Sequence, residues 1–107
     1  MKYRVTIVPH AKRQLLEQAL WWSKHRSAAQ AFDWLEGFEK LLGSLAKSPE
    51  RHQMARENAV FDRELRELYF GLSKKPTHRA VFEIRESDVI VHSIRHLAQA
   101  DLTLDDI

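Results

Sequence analysis

Three short segments in the last third of the chain are rich in apolar residues and carry arginines and histidines inside them. Their β-branched and aromatic side chains predict strands over residues 65–70, 79–84 and 89–96. A strand directs successive side chains to opposite faces of a sheet, so an internal arginine must reach an open face or find a partner. We therefore expect the functional residues on this sheet.

The first half of the chain predicts one more strand and two helices. Tyr3, Val5 and Ile7 alternate with polar residues, which is typical of a half-buried strand. Apolar residues then recur at helical spacing from His10 to about His25, and again after Ser27, a good N-cap. The predicted apolar stripes consist of Ala11, Leu15, Leu16, Ala19, Leu20 and Trp22 in the first helix and of Ala28, Ala31, Phe32, Leu35, Phe38, Leu42 and Leu45 in the second.

The order of these segments predicts an α+β fold. The second helix should end near Lys47, because Pro49 disfavours helical geometry at the residue before it. Residues 48–61 read as a polar connection with room for one helical turn, and residues 97–107 either dock as a short helix or form a flexible tail. We expect a single domain over residues 1–107, in which an N-terminal strand and an antiparallel helix hairpin pack on a small, mainly antiparallel β-sheet.

Composition narrows the classes of function. The chain has 107 residues and no cysteine, which excludes a disulfide framework, a thiolate nucleophile and a cysteine-bearing zinc site. All 17 Lys and Arg residues precede residue 97, whereas three of the 15 acidic residues follow it. A basic body favours an anionic partner. The apolar runs are too broken to cross a bilayer, so we expect a cytoplasmic protein with no membrane partner and no cofactor.

Five stretches together resemble a known superfamily. The N-terminal Tyr-x-Val strand, the sequence SPERH after the second helix, and the strands RELRELYFG, HRAVFEI and VIVHSIRH are similar to the RelE/ParE toxins of type II toxin–antitoxin systems. The resemblance covers nearly the whole chain. It implies the same fold and a cognate antitoxin that wraps an extended segment and a helix around the toxin, with a homodimer or a heterotetramer with antitoxin as the assembly. Relatives of the RelE type cut mRNA on the ribosome, whereas those of the ParE type bind DNA gyrase and block it.

If the chain is an endoribonuclease, the resemblance implies that Arg79 holds the scissile phosphate. His92 or His96 would then transfer the proton, because histidine titrates near neutral pH. The structural alternatives are an ion pair between Arg79 and a cross-strand acid such as Glu67, and hydrogen bonds from His92, Arg95 and His96 to the C-terminal segment. We expect no metal site, since histidines four residues apart in a strand lie roughly 13 Å apart.

Cations and tryptophans are the candidates for substrate or partner binding. Arg66, Arg79 and Arg95 supply positive charge along the predicted strands. Trp21 and Trp34 lie off the predicted apolar stripes, so they are better candidates than Trp22 for exposed partner anchors. The alternative is that the three tryptophans pack in the core, because a small core needs large apolar area.

Two features favour the ParE branch over the RNase branch. Glu67, beside Arg66, would repel a phosphate backbone, and no Lys or Arg follows Arg95, where RNase relatives carry a basic cluster. We therefore predict growth inhibition by binding, with gyrase as the target. Ribosome-dependent cleavage of mRNA is the alternative, and an inactive toxin fold kept as a binding module is the second alternative.

Overall fold

The computed structural model describes residues 2–61 and 63–103. The elements occur in the predicted order: β1 (Arg4–Ile7), α1 (Pro9–His25), α2 (Ala28–Gly43), β2 (Arg66–Phe70), β3 (His78–Arg85) and β4 (Asp88–His96). Ser27 caps α2 as predicted, since its hydroxyl accepts a hydrogen bond of 3.1 Å from the backbone N–H of Gln30. The α+β prediction is confirmed.

The four strands form one sheet in the order β1-β4-β3-β2. β1 runs parallel to β4, whereas β2, β3 and β4 pair antiparallel. Val81 on β3 pairs with Ser93 on β4 and Phe82 pairs with Val91, so His92 is the extra residue of a bulge in β4. The sheet is therefore completed by a strand from the opposite end of the chain, as predicted.

The main core lies between the helix hairpin and one face of the sheet. The sheet contributes Leu68, Ala80, Phe82, Val89, Val91 and Ile94, and the helical part contributes Ala11, Leu15, Trp34, Phe38, Leu42 and Leu45. In α2 the buried residues are Ala31, Trp34, Phe38 and Leu42, which recur at helical spacing.

The helix faces differ from the predicted stripes. Leu16, Leu20 and Phe32, predicted to face the core, are 54%, 66% and 63% exposed, whereas Trp34 is fully buried. The prediction of an exposed Trp34 is wrong. Apolar residues cover more than half of the circumference of α2, so periodicity alone could not decide which side meets the sheet.

The connection between α2 and β2 covers part of the sheet face that lies away from the helices. α2 ends at Gly43 rather than near Lys47, and 3₁₀ turns follow at Ser44–Ala46, Pro49–Arg51 and Arg56–Val60. A second apolar cluster forms on the face away from the helices, built from Ala55, Phe61, Leu65, Val81 and Leu102.

The C-terminal segment closes over that second cluster. Residues 97–103 dock through Leu102 without forming a helix, while Leu104 and the rest of the predicted tail lie outside the described residues. Within the described part of the chain, no helix combines the length and apolar character needed to cross a membrane.

Candidate functional site

Arg79 lies at the centre of the sheet on the face opposite the helices. Its side chain is 0% exposed. Nη1 donates to Glu57 Oε1 at 2.9 Å and to Glu67 Oε1 at 3.1 Å, and Nη2 donates to Glu57 Oε2. The predicted exposed phosphate clamp is wrong, because two carboxylates of the chain itself occupy the guanidinium. The alternative ion pair with Glu67 is confirmed.

Glu57 makes this buried ion pair possible. It comes from the 3₁₀ turn Arg56–Val60 and is 2% exposed. Burial by itself raises the pKa of its carboxyl, but the hydrogen bonds and charge of Arg79, with a hydrogen bond of 2.9 Å from the backbone N–H of Leu102, hold that pKa below its ordinary value. The carboxylate is therefore ionised at neutral pH and ties the connection, the sheet and the C-terminal segment together.

Glu67 has its own set of partners. Its second carboxylate oxygen accepts a hydrogen bond of 2.6 Å from the Tyr69 hydroxyl and one of 2.7 Å from the Gln53 side-chain amide. The buried acids are thus hydrogen-bonded on several sides, which is the condition for a stable buried ion pair.

Arg95 is also occupied by the chain itself. It is the cross-strand neighbour of Arg79 and is 9% exposed. Its Nη2 donates to the backbone carbonyl of Ala100 at 2.6 Å, and Arg56 forms an ion pair of 2.7 Å with Asp101 over the same segment. The prediction of Arg95 as a free binding cation is wrong, and the predicted hydrogen bond to the C-terminal segment is confirmed.

Arg66 lies on the other face of the sheet from Arg79. Its register partner is Phe82 of the main core, and its Nη1 donates to the backbone carbonyls of His52 at 2.6 Å and Glu50 at 3.0 Å. Arg66 therefore anchors the connection to the edge strand β2. It does not form a joint cationic site with Arg79.

His92 lies next to a buried acid at the bulge in β4. Its Nε2 is 2.5 Å from Glu83 Oε1, and Arg63 Nη1 and Arg85 Nη2 lie 3.1 Å and 3.2 Å from the same oxygen. Burial alone would raise the pKa of the Glu83 carboxyl, but His92, Arg63 and Arg85 together hold it below its ordinary value. His92 therefore belongs to an ionic cluster around a carboxylate.

His96 lies on the helix side of the sheet. Its ring contacts that of His78, with centroids 5.0 Å apart, and both histidines line a cavity beside α1. Arg79 and His92 face the opposite side, so the structure does not bring the three predicted catalytic residues into one site. The backbone N–H of His96 donates to Gln99 Oε1, and the Nδ1 of His96 accepts from the backbone N–H of Ala98. The predicted contacts of His96 with the C-terminal segment are therefore confirmed.

Part of the exposed surface of the helix hairpin is apolar. Trp21 is 46% exposed, which agrees with the prediction, whereas Trp34 is sealed in the core. Between the two helices lies a groove of about 390 Å³. We call it the hairpin groove, and it is lined by Leu16, Ala19, Leu20, Ser23, Ala31, Phe32 and Leu35.

Glu57 and the hairpin groove are the features that sequence reasoning missed. Glu57 stands in a polar stretch without period, so nothing local distinguishes it from a solvated acid. The apolar residues of the groove follow helical spacing, a pattern that predicts them in the core. Exposed apolar residues at such positions mark a surface for a partner.

The fold is similar to those of solved toxins from toxin–antitoxin systems. The structure is similar to the chromosomal ParDE toxin–antitoxin system of P. aeruginosa, with a TM-score of 0.71 and 9% identity over 89% of this chain and 96% of that chain. A variant of the E. coli toxin RelE in the free state gives a TM-score of 0.56 and 18% identity over 92% and 86% of the two chains. The RelBE toxin–antitoxin complex of Mycobacterium tuberculosis gives 0.52 and 20% identity over 90% and 99%.

These structural likenesses establish the fold, and the sequence itself establishes the family. A sequence search of curated proteins found no match. The family described as the ParE toxin of the type II toxin–antitoxin system parDE, however, matches residues 5–101, which include both helices and strands β2 to β4. The chain therefore belongs to the ParE toxin family and is a toxin of a type II toxin–antitoxin system.

Proposed function

We propose that this toxin arrests growth in the cytoplasm by binding DNA gyrase and does not cut mRNA. The burial of Arg79 carries the proposal: its guanidinium is 0% exposed and already paired with Glu57 and Glu67. A phosphate clamp must contact the substrate's phosphate directly. Removing one partner of a buried ion pair costs about 3–5 kcal/mol, so Arg79 is not available to a substrate at low cost.

Two further arginines near that sheet face also support inhibition by binding. Arg63 and Arg85 both form ion pairs with Glu83, whose carboxylate offsets their attraction for a phosphate. No Lys or Arg follows Arg95 in the sequence. A surface with this charge pattern is poorly suited to grip an RNA backbone, which supports inhibition by binding.

Two assays with purified protein test the choice between the branches. Added to gyrase, the toxin is expected to stop negative supercoiling of a relaxed plasmid. Added to translating ribosomes, it is expected to leave the mRNA intact. Position-dependent cuts in the mRNA together with normal supercoiling would refute the proposal, and no effect in either assay would favour an inactive binding module.

The pair of His92 and Glu83 is the observation that supports the endoribonuclease alternative. A carboxylate that holds a histidine 2.5 Å away can orient it as a general base towards a ribose 2′-hydroxyl. If cleavage is seen, His92→Ala is expected to abolish it, whereas the same substitution at the exposed His10 on α1 serves as the control. Cleavage that survives His92→Ala would exclude this residue as the base.

We propose that the cognate antitoxin covers the hairpin groove with the apolar face of an amphipathic helix. The family is defined by a toxin–antitoxin system, and the groove has the apolar lining and the elongated position between two helices that such a helix fits. Leu20 and Phe32, 66% and 63% exposed, lie on its rim and provide the anchors.

A charge placed in the groove should weaken this complex. Leu20→Glu is expected to reduce antitoxin affinity about 30-fold, because a carboxylate would be buried against apolar side chains. Leu72→Glu is the matched control, since Leu72 is 43% exposed and lies outside the groove. Calorimetric titration of the purified antitoxin into each variant measures the difference.

A second copy of the toxin is the competing occupant of the groove. Light scattering of the toxin without antitoxin distinguishes the two. Unchanged antitoxin affinity in Leu20→Glu, combined with a shift from dimer to monomer, would assign the groove to a toxin homodimer and overturn the antitoxin proposal.

A further inference from the structure

A second concave site lies on the opposite side of α1 from the hairpin groove. It is a cavity of about 490 Å³ where the start of β3 and the end of β4 meet α1. Pockets of this volume hold small-molecule ligands. The residues that line it and matter here are Gln18, Trp21, Trp22, His78, His96 and Gln99.

The histidine at the base of the cavity is neutral. His78 is 3% exposed, and mainly burial, with a smaller contribution from nearby His96, lowers its pKa to about 4. Its Nε2 lies 3.2 Å from Gln18 Oε1 and its Nδ1 lies 2.8 Å from the Thr77 hydroxyl. Nε2 therefore donates to Gln18, whose amide NH₂ group remains available as a donor.

The polar groups at the mouth of the cavity are donors as well. Gln99 Oε1 accepts from the backbone N–H of His96 at 2.8 Å, which leaves its NH₂ group. His96 Nδ1 accepts from the backbone N–H of Ala98 at 3.0 Å, so in the neutral ring the proton lies on Nε2. The cavity therefore calls for a ligand with several acceptors.

Two indole rings form an aromatic corner at the cavity. The rings of Trp21 and Trp22 are 5.6 Å apart and nearly perpendicular, at 88°. Trp21 is held in place by stacking on His25, with centroids 4.6 Å apart and an angle of 18°. A rigid indole that is 46% exposed is a stacking surface for a planar ring.

A cation adjoins the cavity. A neighbouring depression shares Trp22 and Thr77 with it and is lined by Arg26, Gln30 and Ser73. The Arg26 guanidinium is exposed and makes no ion pair with any residue of 2–61 or 63–103. None of the described residues that line either depression is acidic.

We propose that this cavity binds a guanine nucleotide, with the base against Trp21 and Trp22 and the phosphate at Arg26. The stacking surface takes the ring, the donors of Gln18, Gln99 and His96 meet its acceptors, and the guanidinium pairs with the phosphate. Guanine fits better than adenine, because its O6 and N7 are both acceptors, whereas adenine offers a donor at N6 beside N7. The cavity and the hairpin groove share no lining residue.

Calorimetric titration of the purified toxin with nucleotides tests the proposal. GMP is expected to bind saturably, and AMP about tenfold more weakly. Trp21→Ala is expected to weaken GMP about tenfold through lost stacking. Arg26→Ala is expected to weaken GMP about tenfold while leaving guanosine unchanged, and Arg13→Ala, an exposed arginine of α1 outside the cavity, is expected to change neither.

The outcomes decide both the ligand and its source. No heat from GMP with protein whose circular dichroism shows the native fold, equal affinity for GMP and AMP, or unchanged affinity in Trp21→Ala would overturn the proposal. A short single-stranded oligonucleotide whose 5′ end is a guanosine 5′-phosphate tests whether the natural ligand is the end of a strand or a free nucleotide. Tighter binding of the oligonucleotide than of GMP assigns the site to a strand end, and weaker binding assigns it to the free nucleotide.

Discussion

Replacing Glu57 by alanine is expected to lower the free energy of unfolding by about 3–5 kcal/mol, a large fraction of the stability of a domain of this size. The substitution leaves the fully buried guanidinium of Arg79 with Glu67 as its remaining carboxylate partner. It also leaves the buried backbone N–H of Leu102 without its acceptor. Urea denaturation followed by circular dichroism measures the change.

Two further variants separate the ion pair from the mere loss of an acid. Glu36→Ala, at an exposed position of α2, is expected to change the unfolding free energy by less than about 0.5 kcal/mol. Arg79→Met combined with Glu57→Ala and Glu67→Ala removes the buried cation together with both of its carboxylate partners, and it is expected to recover part of the loss seen when only the two acids are removed. An equal unfolding midpoint for wild type and Glu57→Ala would contradict the structural role assigned to this residue.

The ion pair also determines how the free energy of unfolding changes with pH. The folded-state pKa of Glu57 lies below its unfolded value, so the unfolded chain binds the proton first as the pH falls. The contribution of Glu57 is therefore complete above the unfolded carboxyl pKa of about 4.3 and is lost as the pH falls through the folded-state value. Glu57→Gln is expected to flatten the fall in stability below about pH 4.3.

The sequence was sufficient to predict the elements and their order. Alternation in β1, the N-cap at Ser27 and the strand composition after residue 64 are local signals, and the helices and strands formed where those signals stand. The end of α2 was less well predicted, because Pro49 marks the last residue a helix could reach and not the residue where it stops.

The site was less predictable, because it depends on a contact between distant segments. Arg79 and Glu57 are 22 residues apart, and the acid comes from a connection that has no periodic pattern. Glu67, by contrast, is on the neighbouring strand, so strand pairing alone suggested it. A charge in a strand interior indicates that a partner exists, but it does not reveal whether that partner is a ligand or a carboxylate of the same chain.

Trp34→Ala is expected to destabilise the fold strongly, whereas Phe32→Ala is expected to have little effect on stability. The predicted apolar stripe of α2, which includes Phe32 and omits Trp34, would suggest the reverse. Trp34 is 0% exposed and packs edge-to-face on Phe38, Phe70 and His78, with centroid distances of 5.4, 6.3 and 5.0 Å. Its truncation should leave a cavity in the main core and lower the unfolding free energy by about 3–5 kcal/mol. Phe32, on the rim of the hairpin groove, should change it by less than about 0.5 kcal/mol.

A third variant tests why the core uses an indole at this position. Trp34 Nε1 is buried without a hydrogen-bond partner among the described residues, so the donor itself is a cost to the folded state. Trp34→Phe removes that donor and keeps an aromatic ring against Phe38, so it should cost clearly less than Trp34→Ala. Equal losses for the two substitutions would contradict this expectation, because a phenyl ring at position 34 would then stabilise the core no more than a methyl group does. A larger loss of stability in Phe32→Ala than in Trp34→Ala would mean that α2 presents its other side to the sheet, and the hairpin groove would then lose its exposed anchor.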